Sequence, residues 1–213
     1  MDLVLYSAWR ATAPYRVRIG LHLKGLSFEY RAVDLLAGEQ RGEAYRAVNP
    51  QALTPTLIAG ERVMTQSLAI LEWLEETHPE PAFLPGDPAD RAAVRAMADI
   101  VACDIHPLNN TRVGRALEAL KVPEDERLAW IRRWIVDGFS ALEPMVARYG
   151  RGYAFGDAPG MADCCLIPQV YSARRFGVDL APFPALAAVA ERAAGHPAFA
   201  AAHPDRQPDA VKG

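Results

Sequence analysis

A proline- and glycine-rich segment divides this sequence into two parts of different character. Residues 78–90 read HPEPAFLPGDPAD, and four prolines within thirteen residues disfavour both helices and strands. Before this segment, short apolar runs typical of strands alternate with helical segments, whereas after it the apolar residues recur with helical spacing. The sequence therefore predicts a small α/β domain over residues 1–80, a linker over 81–89 and an all-helical domain over 90–202.

The first helix is expected directly after the first strand. Residues 4–6 form an apolar run typical of a strand, and Pro14 suits the first helical position, where a missing N–H has no cost. Because the residue before a proline avoids the helical region, we expect Ala13 to be the N-cap and Thr12 the last loop residue. Free N–H groups at a helix start attract anions, and Arg10 lies in the preceding loop. The segment therefore predicts a site for an anionic ligand.

The alternation of residues 15–23 favours a strand instead of a helix. Their apolar side chains alternate with polar ones, which is the strand period. The C-terminal end of the segment favours a helix, since Lys24 is a cation in the expected last turn and Gly25 is a typical residue just after a helix. Gly20 in mid-segment also argues against a strand. A helix is therefore the predicted structure for this segment.

The remaining elements are predicted from hydrophobic spacing and turn residues. In the first part, Gly60 and Glu61 separate two short apolar runs and predict a hairpin. In the second part, a helix with an apolar face over residues 94–105 is expected to kink or end at Pro107. Residues 203–213 lack an apolar face and are predicted to be a loose tail. The other predicted strand is 28–33, the hairpin strands are 56–59 and 62–64, and the other predicted helices are 43–47, 68–77, 123–149, 161–176 and 185–194.

Composition argues against several classes of partner. The 213 residues include 23 Lys and Arg against 26 Asp and Glu, so the net charge of −3 provides no surface for nucleic acid. No apolar run approaches the roughly 20 residues of a membrane span, and the first residues lack the pattern of a secretory signal. Three cysteines, two of them adjacent, predict neither a disulfide framework nor a metal site. The chain is therefore expected to be cytoplasmic.

Two segments of the first part are candidates for contacting a ligand through the backbone. Pro55 precedes a predicted strand, and a cis bond from Thr54 would expose backbone polar groups, although only about 5% of such bonds are cis. Gln66 and Ser67 stand at the start of a predicted helix. There Ser67 either caps the helix or helps its N–H groups to hold a carboxylate. The residues alone leave both alternatives open.

Polar residues of the second part gather at two places. Around Pro107, five polar side chains lie next to an apolar helical face, and such groups need partners or a cleft. Tyr171 and Arg175 are four residues apart and share one helical face, so that a phenol and a cation project together. Arg174 is expected to be an exposed cation near the helix C-terminus. The five polar residues around the proline are Asp104, His106, Asn109, Asn110 and Arg112.

Five segments together resemble the zeta-class glutathione transferases, and within that class the bacterial maleylacetoacetate and maleylpyruvate isomerases. They cover nearly the whole chain in the family's order. The resemblance implies a thioredoxin-like N-terminal domain with a helical C-terminal domain, a homodimer, and glutathione as the cofactor. The segments are YSAWRATAPYRVRIGL, NPQALTPTLIAG, QSLAILEWLEETHP, CDIHPLNN and APGMADCCLIPQVYSARRFGVDLAPFP.

The resemblance also implies roles for individual residues. Thr54 would offer its backbone to glutathione before a cis Pro55. Arginine pairs with carboxylates through two hydrogen bonds, so three arginines near the site agree with a dianionic substrate. The arginines that match those associated with substrate carboxylates are Arg10, Arg112 and Arg175. The other implied glutathione contacts are Gln51, Gln66, Ser67, His106 and Asn110.

The sequence departs from the family where the thiolate of glutathione would lie. The family motif after the arginine is typically Ser-Ser-Cys, whereas this chain has Ala11-Thr12-Ala13. Ionising a thiol at neutral pH needs a pKa shift of about 1.5 to 2 units, roughly 2–3 kcal/mol. A helix start provides up to ~2 kcal/mol, and a hydrogen bond to a charged group adds roughly 1.5–3 kcal/mol. We therefore predict that Thr12, or a water that it orients, replaces the missing serine. A second departure from the family concerns a helix cap and not the thiolate: Gly160 stands where the family usually has Thr or Ser.

The predicted activity is a glutathione-dependent cis–trans isomerisation of maleylacetoacetate or maleylpyruvate, a step in the catabolism of aromatic compounds. The sequence does not choose between these two substrates. One alternative is a transferase or dehalogenase that consumes glutathione, but three arginines argue against the apolar pocket that it needs. The other alternative is a non-catalytic glutathione-binding protein, which Ala11 and Ala13 keep open.

Overall fold

In the computed structural model, which describes residues 2–211, a four-stranded mixed sheet forms the centre of a first unit. The strands are β1 (Leu3–Ser7), β2 (Glu29–Ala32), β3 (Thr56–Ala59) and β4 (Arg62–Thr65). They lie in the order β2-β1-β3-β4, where β2 is parallel to β1, and β3 is antiparallel to both of its neighbours. The predicted hairpin is confirmed, since Ala59 pairs with Arg62 across the turn.

Three helices follow the strands of this unit, and a fourth comes from the end of the chain. They are α1 (Thr12–Leu23), α2 (Glu43–Val48), α3 (Ser67–Thr77) and α9 (Pro197–Ala202). Helix α1 packs against α3 and α9. Every residue of α1 from Pro14 to Leu21 is buried, including Arg16 and Arg18. Because this helix is enclosed on all sides, its sequence has no solvent-facing stripe, which explains the strand-like alternation of a segment that is nevertheless helical.

Both ends of α1 are defined by the backbone. The C-terminal prediction is confirmed: Gly25 has φ +66°, its N–H bonds to the His22 carbonyl at 3.1 Å, and the Leu26 N–H bonds to the Leu21 carbonyl at 2.9 Å. The N-terminal prediction is wrong, because Ala11 is the N-cap and Thr12 is already helical. Pro14 therefore stands third in the helix, and any first-turn position tolerates a residue without an N–H.

The second unit, Leu84–Ala194, is helical. Its helices are α4 (Pro88–Asp99), α5 (Thr111–Ala119), α6 (Glu124–Tyr149), α7 (Met161–Arg175) and α8 (Pro184–Ala194), with a π-helical turn over Ile100–Ile105. Helix α4 packs against α7, and α6 packs against α8, where the rings of Phe139 and Phe183 meet edge to face at 5.6 Å. The mixed sheet and this separate helical unit confirm the predicted fold class. Helix α5 was not predicted. Across the described residues, no helix is long and apolar enough to cross a membrane.

The chain divides differently from the predicted domains at its C-terminal end. The first unit comprises the described residues up to Phe83 together with those from Gly195 onward, so that α9 belongs to it and not to the helical unit. The predicted loose tail is wrong for residues 203–211. Pro204–Arg206 form a 3₁₀ turn, and Gln207 is buried and donates to the Ala201 and His203 carbonyls at 3.0 and 2.8 Å. Lys212 and Gly213 lie outside the described residues.

Candidate functional site

The loop between β1 and α1 carries the first two candidate residues. Arg10 is exposed, and its guanidinium carbon lies 5.0 Å from the centroid of the Trp9 ring. Thr12 is half-buried and is the first residue of α1, so its side chain belongs to the first helical turn. Helix N–H groups of this turn have no acceptor within the helix. The loop therefore presents one cation and one hydroxyl beside a helix start.

The start of α3 carries the next pair. Gln66 is exposed and has φ +67°, and it is the N-cap residue, with no capping bond from its side chain. Ser67 is the first helical residue and is 5% exposed. Its Oγ accepts a hydrogen bond from Arg16 Nη1 at 3.1 Å. The alternative in which Ser67 caps α3 is therefore wrong, because Gln66 is the N-cap. The Ser67 hydroxyl instead bonds to a buried arginine at the start of the helix.

The segment from Asn49 to Thr56 is fixed by buried polar side chains that the sequence reasoning missed. Asn49 donates to the Leu53 carbonyl at 2.7 Å and to Thr56 Oγ1 at 3.0 Å, and it accepts from the Gln51 N–H at 3.0 Å. The Tyr45 hydroxyl lies 2.7 Å from the same carbonyl. An Asn-Pro pair before a strand signals a turn, and it was the available clue to this network.

These contacts bring Gln51 to the start of α3. Gln66 Nε2 donates to Gln51 Oε1 at 2.7 Å, and both side chains are exposed. The bond between Thr54 and Pro55 is cis, as is the one between Glu80 and Pro81. In the sheet register Thr56 pairs with Thr65, which places the Thr54-Pro55 segment beside Gln66. The first unit thus groups its predicted glutathione contacts at one end of β3.

Two candidates of the second unit lie between the π-helical turn and α5. His106 is half-buried and its N–H bonds to the Val101 carbonyl at 2.9 Å. Asn110 is the N-cap of α5, since its Oδ1 accepts from the Arg112 N–H at 3.1 Å. The Trp130 indole donates to the Leu108 carbonyl at 2.8 Å and ties this loop to α6. The loop is therefore ordered by capping, and the Arg112 side chain is exposed.

The C-terminal end of α7 carries two arginines with different surroundings. Arg174 is exposed and forms an ion pair with Glu191, with Nη2 2.8 Å from Oε1. This confirms it as an exposed cation at the helix end. Arg175 is also exposed, and its guanidinium carbon lies 4.6 Å from the centroid of the Phe176 ring. Its contact with substrate stays a prediction.

A carboxyl group is buried at the other end of α7. Asp163 accepts from the Ala154 N–H at 2.8 Å and from the Gly160 N–H at 2.9 Å, and Gly160 is the N-cap. Burial raises the pKa of Asp163 to about 7, while these N–H groups act in the opposite direction. Because Gly160 has no side chain to cap α7, the aspartate fixes the helix start from within.

Comparison with known proteins gives the family. Residues 13–82 match the model of the glutathione S-transferase N-terminal domain, and residues 129–201 match that of the C-terminal domain. The maleylpyruvate isomerase of Ralstonia sp is 48% identical to this chain, over 97% of the chain and 99% of the relative. A holo structure of a bacterial zeta-class maleylpyruvate isomerase is 47% identical, with a TM-score of 0.95, covering 98% of this chain and 100% of that one.

A third comparison concerns a structure with glutathione. The maleylacetoacetate isomerase of Anaeromyxobacter dehalogenans 2CP-1, solved with glutathione in its active site, is 51% identical, with a TM-score of 0.90, over 99% of this chain and 98% of that one. The fold and the two matching family models define a glutathione transferase. The chain belongs to the zeta class of that family, among the maleylacetoacetate and maleylpyruvate isomerases.

Proposed function

We propose that this chain is a glutathione-dependent cis–trans isomerase that converts maleylacetoacetate or maleylpyruvate to the fumaryl isomer. The observation that carries the proposal is the 48% identity to a maleylpyruvate isomerase over 97% of the chain. Agreement over the whole length includes both units, so the likeness is not confined to the glutathione-binding half. The two alternatives are a transferase that consumes glutathione and a non-catalytic binding protein.

The residues of the first unit fit glutathione. The tripeptide carries a free α-carboxylate on its γ-glutamyl residue, and the start of α3 offers N–H groups and the Ser67 hydroxyl to such a group. The amides of Gln51 and Gln66 already meet at 2.7 Å and provide donors and acceptors beside that helix start. We propose that these residues, with the backbone of Thr54 before Pro55, bind glutathione. His106 and Asn110 of the second unit are proposed further contacts.

The protein's own residues favour ionisation of the glutathione thiol and stabilise the negative charges of the substrate. Glutathione, when bound, supplies a thiolate whose reversible addition to the maleyl double bond allows rotation before elimination restores the cofactor. Thr12 would donate a hydrogen bond to the sulfur, and the N–H groups of the first turn of α1 would add their partial positive charge. Both effects lower the pKa of a thiol, and together they are sufficient for the roughly 2–3 kcal/mol that ionisation of the thiol requires.

The proposed substrate is a dianion with two carboxylate groups, and arginine pairs with carboxylates through two hydrogen bonds. We propose that Arg10, Arg112 and Arg175 bind its carboxylates and stabilise the negative charge that develops on its carbonyl oxygen during addition. All three side chains are exposed within their own units. We also expect a homodimer in the cytoplasm, as the family resemblance and the cysteine usage indicate.

The deciding experiment follows the absorbance of maleylacetoacetate and of maleylpyruvate with and without glutathione. An isomerase converts substrate in large excess over glutathione and leaves the thiol concentration unchanged, which a thiol reagent measures in the same sample. Loss of one thiol per turnover would instead identify a transferase. Glutathione binding by calorimetry without conversion of either substrate would identify a binding protein.

A further inference from the structure

The N–H and the carbonyl of Trp9 each bond to a side chain from outside the loop, and one of these side chains is distant in the sequence. The Trp9 N–H donates to Asp209 Oδ2 at 3.0 Å, across 200 residues. Its carbonyl accepts from Arg18 Nη2 at 2.8 Å. A backbone that is bonded at both its N–H and its C=O has little freedom to rotate. The residue directly after it is Arg10.

Each of the two partners is itself fixed. The other carboxylate oxygen of Asp209 accepts from the Tyr30 hydroxyl at 2.6 Å. Burial, followed by this bond, raises the pKa of Tyr30, so the phenol stays protonated and remains a donor. Arg18 is fully buried and also donates to Ser7 Oγ and to the Ala202 carbonyl, both at 3.0 Å. The loop is thus connected to β2, to α1 and to the C-terminal segment.

The C-terminal segment that carries Asp209 is ordered by its own bonds. Gln207 is buried and its amide joins two carbonyls of residues 201 and 203, as described above. The Ala210 N–H bonds to the Gln207 carbonyl at 3.1 Å and closes a turn around Asp209. The carboxylate is therefore presented to Trp9 by a folded segment, which a flexible end could not do.

We propose that residues 207–210, which we call the C-terminal clamp, position Arg10 by holding the Trp9 peptide. Asp209 is a positioning residue, because it acts on Arg10 through the backbone of Trp9. The proposal rests on the proposed function, since Arg10 is there assigned to a substrate carboxylate. A displacement of about 1 Å in a binding group lowers a rate by up to ~100-fold, so fixing this loop matters for turnover.

The test compares Asp209→Ala with Asp205→Ala, an exposed aspartate of the same segment that serves as the matched control. Asp209→Ala is expected to lower kcat/KM for the maleyl substrate roughly 10- to 100-fold and to leave the glutathione Kd within about twofold. Asp205→Ala should leave both unchanged. In an Arg10→Ala background, Asp209→Ala should lower kcat/KM no further, whereas a purely structural role would lower it again and overturn the proposal.

A second measurement needs no turnover. Trypsin cleaves after Arg10, and release of the clamp should raise the initial rate at which the peptide of residues 1–10 appears by roughly tenfold, with no such rise in Asp205→Ala. Equal cleavage rates in all three proteins would overturn the clamp. If the wild-type protein does not convert a maleyl substrate but trypsin still cleaves slowly after Arg10, the isomerase function is wrong and the C-terminal clamp is still supported. Failure of the proposed function and failure of the clamp are therefore distinguishable.

Discussion

The Arg16 guanidinium donates from Nη1 to the Ser67 hydroxyl oxygen at 3.1 Å, and both side chains are buried. This bond joins α1 to the first residue of α3. A hydroxyl has one proton to donate, and here its oxygen already accepts from a charged donor. The Ser67 proton is therefore directed to another acceptor, and the proposed γ-glutamyl carboxylate at the start of α3 is such an acceptor. Arg16 also adds positive charge behind it.

This relationship predicts coupled effects on glutathione affinity. Hydrogen bonds to charged groups contribute roughly 1.5–3 kcal/mol, so Ser67→Ala is expected to weaken glutathione binding about 10- to 100-fold. Arg16→Met should weaken binding by a similar factor where Ser67 is present and by much less where it is Ala. Isothermal titration calorimetry on the four proteins of this cycle measures the coupling.

The control for that cycle is Arg133→Met on the exposed side of α6. Arg133 is 72% exposed and pairs with Asp137 at 3.6 Å, so its loss should leave the glutathione Kd unchanged. Additive effects of the two substitutions would show that Arg16 does not act through Ser67. If Arg16→Met does not fold, Ser67→Ala alone still tests whether the hydroxyl binds the ligand.

Thr12 is expected to set the pH at which activity appears. Thr12→Val keeps the shape of the side chain and removes the hydroxyl, so the apparent pKa of the thiol in the complex should rise by about 1–2 units. The rising limb of the kcat profile against pH would move upward by the same amount. Thr12→Ser should restore the original profile. An unchanged profile in Thr12→Val would assign ionisation to the helix start alone.

The sequence predicted the elements and their order well, because strands, turns and helix faces leave local signals. Pro55, Gln66 and Ser67 could be placed at element boundaries for the same reason. The alternation of apolar residues in α1 favoured a strand, but the helix signals at the C-terminal end of the segment outweighed it, and the helix was predicted correctly. The thioredoxin-like and helical halves then agree with the family models.

What the sequence could not predict are contacts between distant polar residues. Asp209 and Trp9 are 200 residues apart, and neither carries a local signal of pairing. The same is true of Arg16 and Ser67, where an arginine in a helix would ordinarily be taken as exposed. Residues 203–211 were predicted to be a loose tail because they lack an apolar face. They are held instead by hydrogen bonds of single side chains, those of Gln207 and Asp209.

Asp163 predicts a dependence of stability on pH with a definite sign. Its pKa is about 7 in the folded chain against an ordinary value of 3.8, so the folded state binds the proton more tightly. The stabilisation is complete below the lower value and is lost as the pH rises through the higher one. Between about pH 5 and about pH 7, the wild-type free energy of unfolding should fall by about 2–3 kcal/mol relative to a variant that does not titrate there.

Asp163→Asn is that variant. Its amide places an NH₂ against one of the two N–H groups that Asp163 now accepts from, so it should be less stable by about 1–3 kcal/mol at low pH. Urea unfolding of both proteins across this pH range measures the gap, which should be largest near pH 5 and shrink toward pH 7. A gap that stays constant from pH 5 to pH 7 would show that the carboxylate is ionised throughout and that its pKa is not raised.

The adjacent arginines at the end of α7 provide a matched pair for the proposed substrate contact. Arg175→Ala is expected to raise KM for the maleyl substrate roughly tenfold or more, because a carboxylate loses a charge-assisted partner worth about 1.5–3 kcal/mol. Arg174→Ala removes the same charge one residue away, but Arg174 pairs with Glu191 at 2.8 Å on an exposed surface. Exposed ion pairs contribute about 0–1 kcal/mol, so its kinetics should match the wild type.

Comparing Arg175→Ala with Arg174→Ala distinguishes a direct contact with the substrate carboxylate from a long-range electrostatic effect of a positive charge. A field effect would act almost equally from both positions and would weaken as salt is added, whereas a direct contact affects Arg175→Ala alone. The glutathione Kd of both variants should stay at the wild-type value, since the proposed partner is the substrate carboxylate. Equal kinetics for the two variants, at low and at high salt, would remove Arg175 from the substrate site and leave Arg10 and Arg112 as its proposed cations.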